Sequence, residues 1–340
     1  MGESSHISVL NYFVTDFRDF FITSNDLTLT KALPHRYNGA SIAMKNDKTG
    51  KLKNEDLPLD DLESFIPQRQ AGFSILRMKI PVGKLESNQL PVLAKLAEKY
   101  GRGELHLTTR QGVEIPWISS ENIPKIIKEI RKAGFTTGAS GPHIRVITAC
   151  PGNIVCRHGI INAQEFGRNL DAIYAGAPVP HKFKIAVAGC PNACTKPREN
   201  DIGFAGMAEP LIVPEKCITC KKCIRICKEG AIIFSENKIT LDPDRCEACG
   251  DCITSCPKQA LSLNRSGIAV YIGGKMGRHP VIGTKIAEFA TEKSAIELLD
   301  RVLVFYRREG RPRERLADTL RRVGKREAMK EIRKPGKLPL

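Results

Sequence analysis

CITCKKCIRIC at residues 217–227 and CEACGDCITSC at residues 246–256 repeat the cysteine pattern C-x2-C-x2-C-x3-C. In such a pattern three thiolates of one run hold one [4Fe–4S] cluster, and the fourth reaches across to the other cluster. We therefore expect one cluster on Cys217, Cys220, Cys223 and Cys256, and a second on Cys246, Cys249, Cys252 and Cys227. Zinc is the weaker alternative, because a zinc site needs only four sulfurs. Lys228 replaces the proline that can follow the fourth cysteine, which should change the exposure or potential of one cluster without removing a ligand.

The remaining four of the twelve cysteines form two close pairs, Cys150 with Cys156 and Cys190 with Cys194. No cysteine is left over, so the pattern indicates three iron–sulfur clusters and electron transfer. Twelve cysteines in a secreted protein would suggest disulfides, but the two cluster-type runs favour thiolates bound to iron. The cysteine usage therefore predicts a reducing, cytoplasmic and anaerobic setting.

The net charge of +16 over 340 residues raises the question of nucleic acid as a partner. Aromatic residues make up only 6% of the chain, and it contains no zinc-finger or RNA-recognition motif. Residues 301–340 hold 14 Lys and Arg against 5 Asp and Glu, which is typical of a solvated helical face. We expect no nucleic-acid partner. We also expect no membrane span, because no run of apolar residues is long enough, and no secretory signal at the amino terminus.

The polar and apolar residues from position 72 onward predict alternating strands and helices. Residues 73–81 (FSILRMKIP) alternate as a strand does, with Leu76, Met78 and Ile80 on one face. A helix at 88–101, strands at 104–109 and 113–118, and a helix at 121–134 follow. With a last strand near residues 144–149 (IRVITA), this order is the split βαβ, or ferredoxin-like, motif. A compact insert at 212–264 holds the cysteine runs, and residues 291–332 predict two or three charged helices.

ITACPGNIVC at residues 147–156 and AGCPNACTKP at residues 188–197 resemble the sirohaem and [4Fe–4S] signature of the sulfite and nitrite reductase superfamily. HLTTRQ (106–111), HKFK (181–184) and YIGGKMGRHP (271–280) resemble further pieces of that family in the same order. The resemblance covers roughly residues 70–325. With its inserted ferredoxin, the chain is most similar to dissimilatory-type and anaerobic sulfite reductase subunits.

The resemblance implies an α+β fold with four parts. A ferredoxin-like half-domain would occupy residues 66–137, and an α/β sirohaem and [4Fe–4S] domain would occupy residues 138–211 and 265–340. A bacterial-type 2[4Fe–4S] ferredoxin domain would be inserted at residues 212–264. Residues 1–65 would form an amino-terminal extension to which we assign no role.

The resemblance also implies the site residues. Cys150, Cys156, Cys190 and Cys194 would bind the third cluster, with Cys194 also the axial ligand of the sirohaem iron. The substrate anion would be held by Arg145, Lys182, Lys184 and Lys79. Lys79 stands where the family usually has arginine, whose fork geometry a lysine does not reproduce, although Arg77 could compensate. The expected sirohaem contacts are Arg77, Thr108, Thr109, Arg110, Gln111, Asn192, Lys275 and Arg278. We expect His106, His143 and His181 to be structural.

The function implied is the six-electron reduction of sulfite to sulfide, with electrons relayed through the ferredoxin clusters. Reduction of nitrite to ammonia by the same fold is the first alternative, because the same basic groups suit both anions. A non-catalytic electron carrier or sirohaem sensor is the second. The chain has no dinucleotide fingerprint, so an external low-potential donor must supply the electrons. Many family enzymes contain two copies of the repeat and this chain has one, so we expect a homodimer, a higher oligomer or an additional partner protein that completes the pocket.

Overall fold

The computed structural model describes residues 62–334, and these residues lie in one compact unit. The expected amino-terminal extension therefore falls almost wholly outside the described residues, as do residues 335–340. The predicted α+β class is confirmed, since two main sheets with packed helices and a small third sheet make up the described part.

The first sheet and its two helices form the amino-terminal layer. All strands are antiparallel, in the order β1-β2-β4-β3. The elements are β1 (Phe65–Pro67), β2 (Phe73–Met78), α1 (Leu90–Tyr100), β3 (His106–Leu107), β4 (Val113–Ser119) and α2 (Ile123–Lys132). On β2 the side chains of Leu76 and Met78 are buried and that of Arg77 between them is partly exposed, as the alternation predicts. The isoleucines of α2 recur at helical spacing and pack on the same core.

One predicted element belongs to a different sheet. We expected a strand near residues 144–149 to complete the ferredoxin-like sheet, and that prediction is wrong. Thr148 and Ala149 form β5 (Thr148–Ala149), which pairs with a strand of the second sheet. The edge of β2 is already taken by β1, whose Phe65 and Ile66 pair with Leu76 and Ile75. Further along the same edge, Gly138 N donates to Arg77 O at 2.8 Å and Lys79 N donates to Thr136 O at 2.9 Å. This edge of β2 is therefore occupied before the chain reaches residues 148–149, which join the second sheet.

The second sheet carries the carboxyl-terminal part of the fold. Its order is β11-β10-β7-β6-β5, with β5, β6 and β7 parallel and the other pairs antiparallel. Its remaining strands are β6 (Ile185–Ala188), β7 (Ile202–Ile212), β10 (Leu261–Ile272) and β11 (Thr284–Ala290). Its helices are α3 (Ala163–Tyr174), α6 (Glu292–Glu309), α7 (Leu316–Val323) and α8 (Lys325–Arg333). All four residues of β6 are buried, as expected for a central parallel strand covered on both faces.

The cysteine-rich segment is inserted at the end of the long β7–β10 hairpin, where Leu261 pairs with Ile212. It contains α4 (Lys222–Ile226), β8 (Ile232–Ser235), β9 (Lys238–Leu241) and α5 (Asp251–Ser255). Its core is small and includes Cys223 and Cys252 beside Ile232 and Ile239. Such a core is short of apolar area, so bound clusters would add stability to the insert.

No helix between residues 62 and 334 has both the length and the apolar character needed to cross a membrane.

Candidate redox and anion site

The eight cysteines of the insert separate into two sets in space. One set lines a pocket beneath α4 and consists of Cys217, Cys220, Cys223 and Cys256. The other lines a larger cavity of about 320 Å³ and consists of Cys227, Cys246, Cys249 and Cys252. Each run thus contributes its fourth cysteine to the other set, which is the exchange that the spacing predicts. We name them the first set and the second set. That each holds a [4Fe–4S] cluster stays a prediction.

Backbone N–H groups point at several of these sulfurs. Ala231 N donates to Cys227 Sγ at 3.3 Å, and Ala248 N donates to Cys246 Sγ at 3.4 Å. Burial, together with the neighbouring thiols of Cys249, Cys246 and Cys227, raises the pKa of Cys252 to about 12. Grouped thiols with amide donors suit an anionic iron–sulfur cluster. Thiols with raised pKa values must release protons when metal binds, so loading should be favoured at higher pH.

The third cysteine set lies at the carboxyl end of two neighbouring parallel strands. Cys150 directly follows β5, and Cys190 follows β6 after one glycine. Cys150 Sγ accepts a hydrogen bond from Gly189 N at 3.0 Å. Burial raises the pKa of Cys190, and the thiols of Cys150 and Cys194 raise it further, so these sulfurs are close together. Carboxyl ends of parallel strands meet at one edge of a sheet, which explains how residues 40 positions apart converge.

Glycine allows the two loops of this set to approach. A Cβ at Gly189 would lie 2.9 Å from Gly152 Cα and 3.4 Å from Cys150 Sγ. Any side chain at this position would therefore push the loops apart. The result is a cradle with buried Cys150 and Cys190 and an exposed Cys194. Soft thiolates in such a cradle fit an iron–sulfur cluster, and the exposed fourth thiol leaves room for a second group.

Three of the four predicted anion-binding residues form a group with excess positive charge. Burial, together with the nearby charges of Arg110, Arg315 and Lys182, lowers the pKa of Lys184 to about 8. Burial and the charges of Arg315 and Arg145 also lower the pKa of Lys182. Neither ammonium group has an ion-pair partner within residues 62–334. The buried carboxylate of Asp201 acts against these shifts, but it is already paired with Arg315. The group therefore keeps an excess of positive charge and is suited to binding an anion.

Arg145 belongs to the same group. Its guanidinium donates to Ala139 O at 2.6 Å and to Gly141 O at 3.1 Å, which fixes its orientation. Burial, together with the charge of Arg77, lowers its pKa to about 10. Two carbonyl oxygens hold the side chain without neutralising it, so its charge remains available to an anion. We call Arg145, Lys182 and Lys184 the cation group.

The cation group and the third cysteine set lie at opposite ends of β6. Lys182 and Lys184 precede the strand, whereas Cys190 follows it. Arg145 stays at the amino end too, because its N–H donates to Phe183 O at 2.8 Å. From Lys184 to Cys190 the chain covers about six residues, or roughly 15–20 Å at strand spacing. One chain therefore does not bring these cations directly onto its own cysteine cradle.

Lys79, unlike the cation group, forms an ion pair with a carboxylate. Its Nζ lies 2.8 Å from Asp171 Oδ2, and Asp171 is buried on α3. The other oxygen of Asp171 accepts a hydrogen bond from Ile147 N at 3.1 Å. Lys79 therefore neutralises a buried carboxylate in this structure. Its expected contact with the substrate anion stays a prediction.

Two of the predicted sirohaem contacts are paired with carboxylates of the chain. Arg77 donates twice to Glu114, at 3.0 and 2.8 Å. Lys275 Nζ lies 2.8 and 2.9 Å from the two oxygens of Asp318. Within the chain, both side chains therefore neutralise a carboxylate. Their role as cofactor contacts stays a prediction.

Arg110 and Gln111 tie the amino-terminal layer to the second sheet. The Arg110 guanidinium donates to Asn200 Oδ1 at 2.9 Å and to two backbone oxygens of the second sheet region. Gln111 Nε2 donates to Ala149 O, and Gln111 Oε1 accepts from Ala149 N, both at 2.9 Å. Ala149 directly precedes Cys150, so this pair of bonds fixes the start of the cysteine loop. Thr108 Oγ1 accepts from the backbone N–H groups of residues 110 and 112 and shapes the turn.

The other predicted contacts are exposed. Asn192 hydrogen bonds to Cys190, where it partly offsets the effect of burial on the pKa of that thiol. Thr109 and Arg278 are exposed to solvent. They remain free to contact a cofactor or a partner.

Two of the histidines contact carboxylates, and the third lies beside the cation group. His106 contacts Glu114 at 3.0 Å and His143 contacts Glu63 at 2.8 Å. Burial lowers the pKa of His181, and the charge of Lys182 lowers it further, so His181 is neutral beside the cations near pH 7.

Sequence reasoning missed three residues. Asp201 is fully buried and accepts two hydrogen bonds from Arg315, at 3.1 and 2.6 Å, and one from Lys184 N at 2.8 Å. Asp171 holds Lys79 as described above. A lone carboxylate directly before the apolar strand β7 was a signal for Asp201, and Asp171 lies on the buried face of α3. Nothing in the basic carboxyl-terminal segment distinguished Arg315 from its neighbours.

Family comparisons agree with this geometry. Residues 140–339 match the nitrite and sulphite reductase 4Fe-4S domain, and residues 66–133 match the nitrite/sulfite reductase ferredoxin-like half domain. The chain belongs to the nitrite and sulfite reductase family. The reductase half-domain match covers the first sheet, and the 4Fe-4S domain match covers the second sheet with its insert.

Relatives within the reductase family differ in length from this chain. It is 36% identical over 271 residues to the coenzyme F420-dependent sulfite reductase of Methanocaldococcus jannaschii. This alignment covers 79% of the present chain and 43% of the relative. It is 30% identical over 179 residues to one of the anaerobic sulfite reductase subunits of Salmonella typhimurium. That alignment covers 47% of the present chain and 51% of the relative. The chain thus spans about half the length of these relatives. A ferredoxin–nitrite reductase of Zea mays is 33% identical over 145 residues, covering 41% and 25%.

The fold has a counterpart among solved structures. Dissimilatory sulfite reductase I superposes with a TM-score of 0.66 at 19% identity, covering 79% of this chain and 72% of that chain. At this identity the match establishes the reductase fold of the chain.

Proposed function

We propose that this chain is a sirohaem-dependent sulfite reductase, an oxidoreductase that reduces sulfite to sulfide with six electrons. The observation that carries the proposal is the cation group of Arg145, Lys182 and Lys184. These side chains are partly buried, and they lack carboxylate partners within the described residues. Sulfite is a small anion with three acceptor oxygens, so it supplies the missing negative charge and the missing acceptors. The sulfite reductases among the relatives support this choice of substrate.

The cofactors in this proposal are three [4Fe–4S] clusters and one sirohaem. The third cysteine set would hold a cluster, with the exposed Cys194 as the thiol shared with the sirohaem iron. Sirohaem coupled to a cluster supplies the iron on which sulfur is reduced and the route for the electrons. Arg278 and Thr109 are exposed and free to contact its carboxylates and ring edge. Lys275 would have to leave Asp318 to do so.

The cation group would bind and orient the anion and hold protons for it. Arg145 is fixed by two carbonyl oxygens and stays charged, so it neutralises sulfite without reorganising. Lys184, with its pKa lowered to about 8, holds a proton at Nζ that it gives up more readily than an ordinary lysine. Removal of one such donor typically costs about 10²–10³ in rate.

The cysteine sets would form an ordered relay. The cavity of the second set is also lined by Pro191, Asn192 and Ala193, which lie between Cys190 and Cys194 of the third set. The second set is therefore next to the third, and the first set lies beyond it. Electrons would enter at the first set from an external low-potential donor and pass through the second to the third. We place this chemistry in the reducing environment of the cytoplasm, where thiolates persist.

The assembly in this proposal is a homodimer, a higher oligomer or a complex with a related protein. Because the cation group and the third cysteine set lie at opposite ends of β6, a second copy would have to place its cations over the cysteine cradle of the first. The domain boundaries proposed from the sequence, at residues 66, 138, 212 and 265, are part of the same proposal.

Nitrite reduction to ammonia is the second candidate. It is favoured by the plant nitrite reductase among the relatives, and the cation group would suit nitrite as well as sulfite. A cluster-binding electron carrier or sirohaem sensor without catalysis is the remaining alternative.

The deciding experiment is an anaerobic visible spectrum of the iron-reconstituted, sirohaem-supplied protein, recorded after reduction and after addition of sulfite or nitrite. We expect a chlorin-type haem band that shifts with sulfite, and sulfide as the product in a viologen-driven assay. A higher kcat/KM for nitrite would transfer the assignment to nitrite. Cluster absorption without a haem band would overturn both reductase assignments and leave an electron carrier.

A further inference from the structure

The surface around the first cysteine set is basic and apolar. Four exposed lysines line the pocket of this set: Lys216, Lys221, Lys222 and Lys258. Ile218 lines the same pocket and is 55% exposed. We call the four lysines with Ile218 the basic rim. An apolar centre with a charged margin is the usual composition of a transient protein interface.

The insert is electrically polarised along the relay. Residues 213–230 carry 5 Lys and Arg against 2 Asp and Glu, whereas residues 236–251 carry 2 against 5. Two of these acidic residues contact the rest of the chain, since Glu247 pairs with Arg198 at 3.2 Å and Asp251 contacts His158 at 3.0 Å. Three lysines of the basic half are exposed and line the pocket of the first set, so a molecule that approaches this set from solvent meets their positive charge.

The lysines of the basic rim are not neutralised within the chain. Lys216, Lys222 and Lys258 have no ion pair in the stretch that the structure describes, and Lys221 lies over the ring of Phe234 at 4.6 Å. Exposed lysines are most often simply solvated. Here they surround a set of thiols together with the exposed Ile218, at the outer end of the proposed relay. That combination favours a charged partner over plain solvation.

We propose that the basic rim is the docking surface for a small acidic electron-carrier protein. The inference rests on the proposed function in one respect: it assumes that the first cysteine set holds a cluster. In each encounter the reduced carrier loses one electron and the cluster gains one, so six encounters supply one sulfite. Opposite charges would steer the carrier to the rim and orient it, and Ile218 would exclude water at the contact.

The test uses the loaded full-length protein and a purified acidic bacterial ferredoxin as the probe. Carbodiimide joins carboxylates to lysines that touch them, and mass mapping should place the cross-links on Lys216, Lys222 and Lys258. The variant K216E/K222E/K258E should slow cluster reduction by the ferredoxin roughly 10- to 100-fold at low salt, because steering is lost. The difference from the unmodified protein should shrink as salt is raised.

A matched control reverses three exposed lysines on the first-sheet helices, K95E/K125E/K128E, which have no ion pairs among the described residues. It should keep the ferredoxin-driven rate of the unmodified protein. Cross-links elsewhere, or equal effects of the two triple variants, would overturn the proposal. Should the rim variant lose iron, the cross-linking map of the unmodified protein still decides the matter. Cluster reduction needs neither sirohaem nor sulfite, so failure of the reductase assignment leaves this test intact.

Discussion

Arg315 and Asp201 form a buried ion pair directly behind the cation group, with Nε–Oδ1 at 3.1 Å and Nη2–Oδ2 at 2.6 Å. Asp201 also accepts the backbone N–H of Lys184 at 2.8 Å. One carboxylate thus anchors a carboxyl-terminal arginine and the residue that begins the anion site. Removing the carboxylate would leave a buried charge unpaired and release the Lys184 backbone.

We expect Asp201→Ala to destabilise the fold by about 3–5 kcal/mol, because an unpaired buried charge is costly. The measurement is denaturant unfolding of the metal-free and loaded protein. Glu209→Ala is the matched control, since it breaks the Glu209–Arg265 pair on the surface and should cost only about 0–1 kcal/mol. Equal losses for the two variants would contradict this account of the buried pair.

A lysine without an ion-pair partner should contribute more to sulfite turnover than a lysine that is already paired. We expect Lys182→Ala to lower kcat/KM for sulfite by about 10²–10³, because a charge on the anion loses its partner. Lys275→Ala should change kcat/KM less, since Lys275 already pairs with Asp318. Steady-state kinetics with sulfite checks both. Full turnover in Lys182→Ala would remove this residue from the anion site.

Sulfite affinity should fall as the pH rises through the pKa of Lys184, about 8 in the free protein. Below that pH the lysine is charged and attracts the anion, and above it the attraction is lost. The lowered pKa of Lys184 also determines how the free energy of unfolding changes with pH. The unfolded chain binds the extra proton between pH 8 and the ordinary lysine pKa of about 10.5, so this group makes stability rise with pH in that window. Calorimetry of sulfite binding across the window tests the first effect, and Lys184→Met should flatten the affinity profile.

The exchange of the fourth cysteine gives a pairwise prediction. Cys256→Ala and Cys217→Ala should remove or alter the same cluster, and Cys227→Ala and Cys246→Ala should alter the other. The loss should be about four iron atoms per chain at most. Electron paramagnetic resonance of the reduced variants identifies which cluster signal changes. If Cys227→Ala and Cys217→Ala changed the same cluster signal, the assignment of these two cysteines to different sets would be wrong.

Mixed assemblies test whether two copies share a site. We expect Cys194→Ala and the double variant K182A/K184A each to be inactive alone. Mixed and reassembled as dimers, they should recover about a quarter of the unmodified activity, because half of the dimers would contain one intact site of two. No recovery, with mixed dimers demonstrated by mass spectrometry, would show that each chain supplies its own cations.

The grouping of the eight cysteines of the insert followed from the sequence because their geometry is local. Two residues between cysteines limit how far apart the sulfurs can lie, and the crossed fourth cysteine is a property of the repeated pattern. The helices of the first sheet were predictable for a similar reason, since α2 buries isoleucines at helical spacing. The strand near Thr148 was assigned to the wrong sheet, because its partner depends on which edge is already occupied by β1.

The sequence by itself determined the thiol sets, the family resemblance and the excess of positive charge. Only the tertiary structure decided which cations stay unpaired. Lys79 meets Asp171 and Lys275 meets Asp318, partners 92 and 43 residues away along the chain, whereas Lys182 and Lys184 meet none in the described part. Charge pairing depends on distances of a few ångströms between remote segments, and the order of residues does not fix these until the sheets have packed.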